Sequence, residues 1–170
     1  ATRQRRPIYY HIARLNQEVL NVGQALRFLK STDVRYVVGH GNQVPTGVTA
    51  WKPGAGGNHL IKSIVIEGSG SKPIKWRDAL VSFFEDDQGE DYLMLTNLWH
   101  DEGVAASQRS MKVTLKLQPG VTSIGRLSRE TGKPELLAVK GDTFELTLPG
   151  GTGDLLRLGS AKFPGLQQDE

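Results

Sequence analysis

The sequence predicts a mainly β protein: an antiparallel β-sandwich of about eight to nine strands behind one long N-terminal amphipathic α-helix. One change of rhythm carries that expectation. Apolar residues first recur every three or four positions; from residue 34 onward they recur every second position, in short runs broken by turn residues.

The helix rests on Ile8, Ile12, Leu15, Val19, Val22, Leu26 and Leu29, which alternate steps of four and three and place one apolar stripe on residues 8 to 30. "STD" at 31 to 33 closes it. Leu20, Ala25 and Phe28 widen the stripe, and flanking positions lack an ordered Glu/Lys code. Packing on its own or a neighbouring domain is therefore favoured over a dimer zipper, with a homodimer through the apolar face as the alternative. Gly23 costs about 1 kcal/mol relative to Ala inside a helix, which predicts close packing at that turn.

Strands are expected at 34–38, 60–67, 79–85, 91–99, 110–117, 121–128, 135–139, 142–148 and 154–159. The connections "DDQG", "QPG", "KG" and "PGGTG" read as hairpin-like. In "SMKVTLKL", Met111, Val113, Leu115 and Leu117 share one face and Lys112, Thr114 and Lys116 the other, and "DTFELTL" alternates likewise. Those strands have one wet face. In "DYLMLTNLW" and "ALVSFFE" both parities are apolar, so both sheet faces need a cover: the opposite sheet on one side, the helix or a missing domain on the other. Residues 39 to 59 form a long irregular stretch around Trp51, of a length that is functional or disordered in compact domains. From Lys162 onward the chain is expected to fray. The organisation expected is thus a helix over 1–33, a sandwich over 34–160 and a flexible tail over 161–170.

At 170 residues the chain suits one domain and is too short for a (β/α)₈ barrel of about 250 residues. Its 21 basic and 18 acidic residues leave a net +3, concentrated at Arg3, Arg5 and Arg6, which reads as a solvated terminus and not a nucleic-acid surface. Without cysteine there is no disulfide and no thiolate metal site. Apolar runs fall short of the roughly 18 residues of a membrane span, so no membrane partner is expected. The start lacks Met and an apolar signal core, so the chain reads as a processed product or a piece of a longer polypeptide.

Chemistry is sparse. His100, Asp101 and Glu102 follow Trp99 in "NLWHDEG", but neighbours on a strand point to opposite faces, so three in a row do not converge on one ion without a tight turn. A polar exit loop is the expectation, with no metal and no cofactor. "EDDQGED" offers carboxylates on one hairpin tip without a second wall across a cleft, which is a solvated turn. The runs "GAGG", "GSGSKP" and "PGGTGD" lead into strands instead of opening helices and are turns, not phosphate loops. No Gly-x-Ser-x-Gly elbow is present, and no catalytic residue is assigned. Flat aromatic rings remain: Trp51 and Trp99 are the candidate carbohydrate-binding platforms, and Trp76 reads as a packing residue.

Taken in order, "PIYYHIARLNQEVLNVGQALRFLKSTDV", "ALVSFFEDDQGEDYLMLTNL", "VTLKLQPGVTSIGRLSRETGKPELL" and "DTFELTLPGGTGDLLRLG" resemble the closing helix and C-terminal β-sandwich of bacterial (β/α)₈-barrel glycoside hydrolases. In that family the catalytic carboxylates sit on the barrel strands, so none carries over to this chain. The resemblance implies a non-catalytic ancillary domain that braces the catalytic barrel of the same or an associated chain, or, alternatively, a carbohydrate-binding module for polysaccharide. It also implies a secreted or periplasmic enzyme. The 39–59 stretch has no counterpart in the family pattern.

Overall fold

The computed structural model describes residues 7–40, 42–67, 74 and 76–166. The helix α1 (Pro7–Leu26) is followed by β1 (Lys30–Val37), β2 (Ile61–Ile66), β3 (Ala79–Glu85), β4 (Asp91–Asn97), β5 (Met111–Leu117), β6 (Ser123–Leu127), β7 (Pro134–Ala138), β8 (Thr143–Leu148) and β9 (Gly153–Leu158). Each run of period two in the sequence yields one of these strands. They form two antiparallel sheets, six strands in the order β1-β3-β4-β9-β6-β7 and three in the order β2-β5-β8.

The alternation decides what the sandwich buries. Met111, Val113, Leu115 and Leu117 of β5 and Phe144, Leu146 and Leu148 of β8 point inward, while Lys112 and Glu145 stay on the wet side, 2.8 Å apart. From the larger sheet, Val81, Phe83, Leu93, Leu95, Ile124 and Leu156 complete this core.

The opposite parity of the central strands builds a second layer. Tyr92 of β4, Leu127 of β6 and Leu155 of β9 face outward and pack with Val22 and Ala25 of α1, and with Phe163, in a separate core edged by Phe84, Met94 and Leu29. The cover required by the doubly apolar strands is therefore α1. Asn21 fastens the helix further by donating to the carbonyls of Arg129 (2.8 Å) and Glu130 (3.1 Å).

Five expectations need correcting. The helix ends at Leu26, not near residue 30: Phe28 and Leu29 donate to Ala25 and Leu26 in a tight turn, and "STD" lies inside β1. Leu29 keeps the heptad rhythm because it still packs on the helix core, although it has left the helix. A domain boundary at 33/34 consequently falls within a strand. Of the four hairpin-like connections, "DDQG" joins paired strands, whereas "QPG", "KG" and "PGGTG" carry the chain from one sheet to the other. Turn residues reverse the chain in both cases and do not encode which sheet receives the next strand.

Next, Gly23 is not a point of close packing, because a Cβ there would meet no atom beyond the neighbouring backbone of its own helix within 4 Å. Nothing in the structure explains this glycine. Finally, the segment after Lys162 does not fray at once: Phe163 is buried, Leu166 packs beside it, and the Lys162 carbonyl accepts from Arg157 at 3.0 Å. Residues 167–170 lie outside the described residues.

The 42–59 stretch is ordered by the free edge of β1. Tyr36 accepts from Trp51 (2.8 Å) and donates to Thr49 (2.9 Å) through the backbone, which blunts an otherwise open edge. A 3₁₀ turn, Ala55–Gly57, follows, and the Gly56 amide donates to the Asp33 carboxylate at 3.0 Å.

Candidate functional site

At one end of the sandwich β4 runs out at Asn97, whose side chain is fully buried. Its amide donates to the carbonyls of Arg109 (2.9 Å) and Leu148 (2.8 Å), and its oxygen accepts from the Trp99 backbone amide at 2.8 Å. One residue thus ties three segments together and fixes where Trp99 leaves the sheet. Gly150 lets the 149–152 corner approach, since a Cβ there would sit 2.6 Å from the Trp99 carbonyl.

Asp78 performs the same task on the neighbouring segment. Its carboxylate accepts from the Tyr36 hydroxyl (2.6 Å), the Gly39 amide (2.7 Å) and Asn42 (3.1 Å), while its carbonyl accepts from Leu98 at 3.0 Å. Burial and the Asp78 carboxylate push the Tyr36 phenol well above its ordinary value, so Tyr36 serves as a fixed donor. The two pins hold the segment from Trp76 to Asp78 against the exit of β4.

Between these segments lies a cleft of about 410 Å³ lined by Trp76, Trp99, His100, Asp101 and Glu102. That volume is within the range of small-molecule sites, about 300 to 1,000 Å³. Trp99 is half-buried, and the guanidiniums of Arg77 and Arg109 lie 4.6 and 5.2 Å from its ring centroid. The Nε atoms of both arginines are buried without a hydrogen-bond partner among the described residues. Both planar cations stack on the indole, and Arg109 in addition pairs with Asp101.

His100 directs Nδ1 at the Leu98 carbonyl (2.8 Å), which in the neutral ring leaves Nε2 as an exposed acceptor. Asp101 accepts from Arg109 (3.1 Å) and from the Glu102 amide (3.1 Å). The exit loop expected from the sequence is what forms. It is, however, one wall of a cleft whose other wall was not foreseen.

That other wall is Trp76, read from sequence as a packing residue and found 48% exposed. The Ile74 carbonyl accepts from the Arg77 amide at 3.1 Å, closing a turn in which Trp76 sits third with φ +65°. Glycine is the residue favoured there, and an L side chain in the left-handed region costs about 1 to 2 kcal/mol. No glycine, proline or periodicity at Trp76 itself signals this. The bond from Leu98 to Asp78, twenty positions apart, is what brings the two tryptophans to one cleft.

Trp51, the other platform expected from the sequence, is half-buried against the main core and is not part of the cleft lining. Among the described residues no three His, Asp or Glu side chains form a group able to hold a metal ion. The acidic hairpin tip is a capped turn: Asp86 accepts from the Gln88 and Glu90 amides at 2.9 and 3.0 Å and from the Tyr92 hydroxyl at 2.9 Å. Burial alone would raise the Asp86 carboxyl, but these donors and Arg157 hold it below its ordinary value. "GAGG" and "PGGTG" are turns, and "GSGSKP" lies outside the described residues. Comparison with protein-family models, curated proteins and solved structures finds no match to this chain.

Proposed function

We propose that the chain is a non-catalytic ancillary β-sandwich of a glycoside hydrolase and braces the catalytic barrel through α1. The observation that carries this reading is the division of the helical stripe. Val22 and Ala25 are buried in the helix–sheet core, whereas Ile8, Ile12, Leu15 and Val19, on the same stripe, are 60, 50, 54 and 71% exposed. Residues 8–17 are all exposed.

A 20-residue helix is about 30 Å long. The sandwich covers only its C-terminal part. A helical segment this short has marginal stability in water, and its apolar stripe gains about 25 cal/mol for each Å² removed from solvent. An exposed row of large aliphatic side chains on a helix that already serves as a packing layer has the form of an interface with a second layer. The resemblance of most of the chain, residues 39–59 excepted, to glycoside hydrolase C-terminal sandwiches supports a barrel as that layer and export as its setting. Catalysis then belongs to the barrel.

An antibody against the sandwich, applied to the native source, is expected to detect a polypeptide longer than this chain by roughly 250 residues or more, the size of a (β/α)₈ barrel, and to co-purify glycoside hydrolase activity. A native species of 170 residues without that activity would contradict the proposal.

A further inference from the structure

We infer that the cleft between Trp76 and Trp99 is a binding subsite for a neutral saccharide. This inference is independent of the docking of α1 and concerns the opposite kind of surface: an aromatic recess with polar acceptors.

Three observations carry it. The first is the exposed Trp76 indole, held outward from a turn position with φ +65° that glycine would fill with less strain. Strain of this kind points to a side chain wanted for what it contacts. The second is the set of groups beside it. His100 Nε2, the Asp101 carboxylate and the Glu102 carboxylate line the same 410 Å³ cleft and accept hydrogen bonds, which is what sugar hydroxyls donate. The C–H face of a pyranose meanwhile buries apolar surface on an indole.

The third observation is the charge balance, and it selects the ligand class. Asp101 and Glu102 line the cleft with two negative charges, while Arg77 and Arg109, stacked on Trp99 outside the lining, place two positive ones next to it, and Arg109 pairs with Asp101. An anionic ligand would meet the lining carboxylates directly, and a cationic one would be opposed by the two guanidiniums stacked on Trp99. A neutral polyhydroxylated ring meets neither penalty and can use the acceptors that Arg109 leaves open on Asp101.

The test is native affinity electrophoresis in gels containing xylan, galactan, mannan or mixed-linkage glucan, with polygalacturonate and chitosan as charged controls. At least one neutral gel is expected to retard the protein more than either charged gel. Trp76→Gly, which suits the backbone at that position, is expected to keep its melting temperature and weaken retardation at least about tenfold. Glu102→Ala, on the exposed loop, is expected to weaken it by about threefold, and Trp76→Tyr to retain most of it. Relative to a gel without polysaccharide, Trp51→Ala and the helix variant Ile12→Asp are expected to be retarded as much as the parent, which separates this subsite from the docking face. Absence of retardation in every neutral gel, stronger retardation by a charged gel, or unchanged retardation of both Trp76→Gly and Glu102→Ala would overturn the inference.

Discussion

Arg129→Met is expected to destabilise the fold by about 3 kcal/mol, because it strips a buried carboxylate of its main partner. Asp154 on β9 has a side chain only 4% exposed, paired with Arg129 and, at 3.7 Å, with Arg126. Arg126 in turn donates to Glu135 at 2.6 Å, and Arg129 reaches Glu18 of α1 at 3.6 Å. The network joins the helix to the sheet through one guanidinium. Arg126 remains in the variant, which places the loss at the lower end of the range for broken buried pairs.

The pH dependence of that loss follows from the direction of the Asp154 shift. Burial raises its carboxyl above the ordinary 3.8, against the opposing pull of Arg129 and Arg126. A folded-state value above the unfolded one means that the folded chain binds the proton more tightly, so ionised Asp154 weighs against the fold and protonation relieves it. Without Arg129 the value rises further. The deficit of Arg129→Met relative to the parent is therefore largest near neutrality and narrows as the pH falls through the raised value toward 3.8. Urea denaturation at pH 7 and pH 4.5 reads both ends. An equal deficit at the two would mean that Asp154 is not the group left uncompensated.

Leu155→Ala and Leu156→Ala are each expected to cost about 3 kcal/mol, the usual price of a leucine-sized void in a closed core. Both side chains are fully buried, yet neighbours on β9 face opposite ways: Leu156 into the space between the sheets, Leu155 against Val22, Ala25 and Phe163. The two variants should therefore differ in what loosens. Leu155→Ala is expected to accelerate amide exchange in residues 18–26 ahead of the global unfolding transition, whereas Leu156→Ala should lower the whole transition and leave the ordering of exchange unchanged. A loss below about 1 kcal/mol for Leu155→Ala would show that the helix layer is not a packed core.

Strand positions and wet faces were legible where a period of two survives, as Met111 to Leu117 of β5 and Thr143 to Leu148 of β8 show. The need for a second cover was legible in the same way, from Tyr92 and Met94 on one parity and Leu93 and Leu95 on the other. Sheet membership was not, since "QPG" and "KG" turn the chain without naming its next neighbour. The helix stripe marked an apolar face but not how much of it the sandwich would cover, which depends on where Tyr92, Leu127 and Leu155 lie relative to α1. The cleft was half legible: Trp99 and its polar followers stood out, while Trp76 was hidden, because its exposure comes from a left-handed turn that no glycine announces.

Amide hydrogen exchange of α1, followed in the isolated chain and in the native polypeptide that carries it, tests the docking of the helix most directly. In the isolated chain residues 8–17 should exchange within seconds while Val22 and Ala25 stay protected, matching the division of exposed and buried residues along the stripe. In the native polypeptide the same residues should slow by about a hundredfold or more, because a second layer covers Ile8, Ile12, Leu15 and Val19. Equally fast exchange in both would show that no layer covers that face.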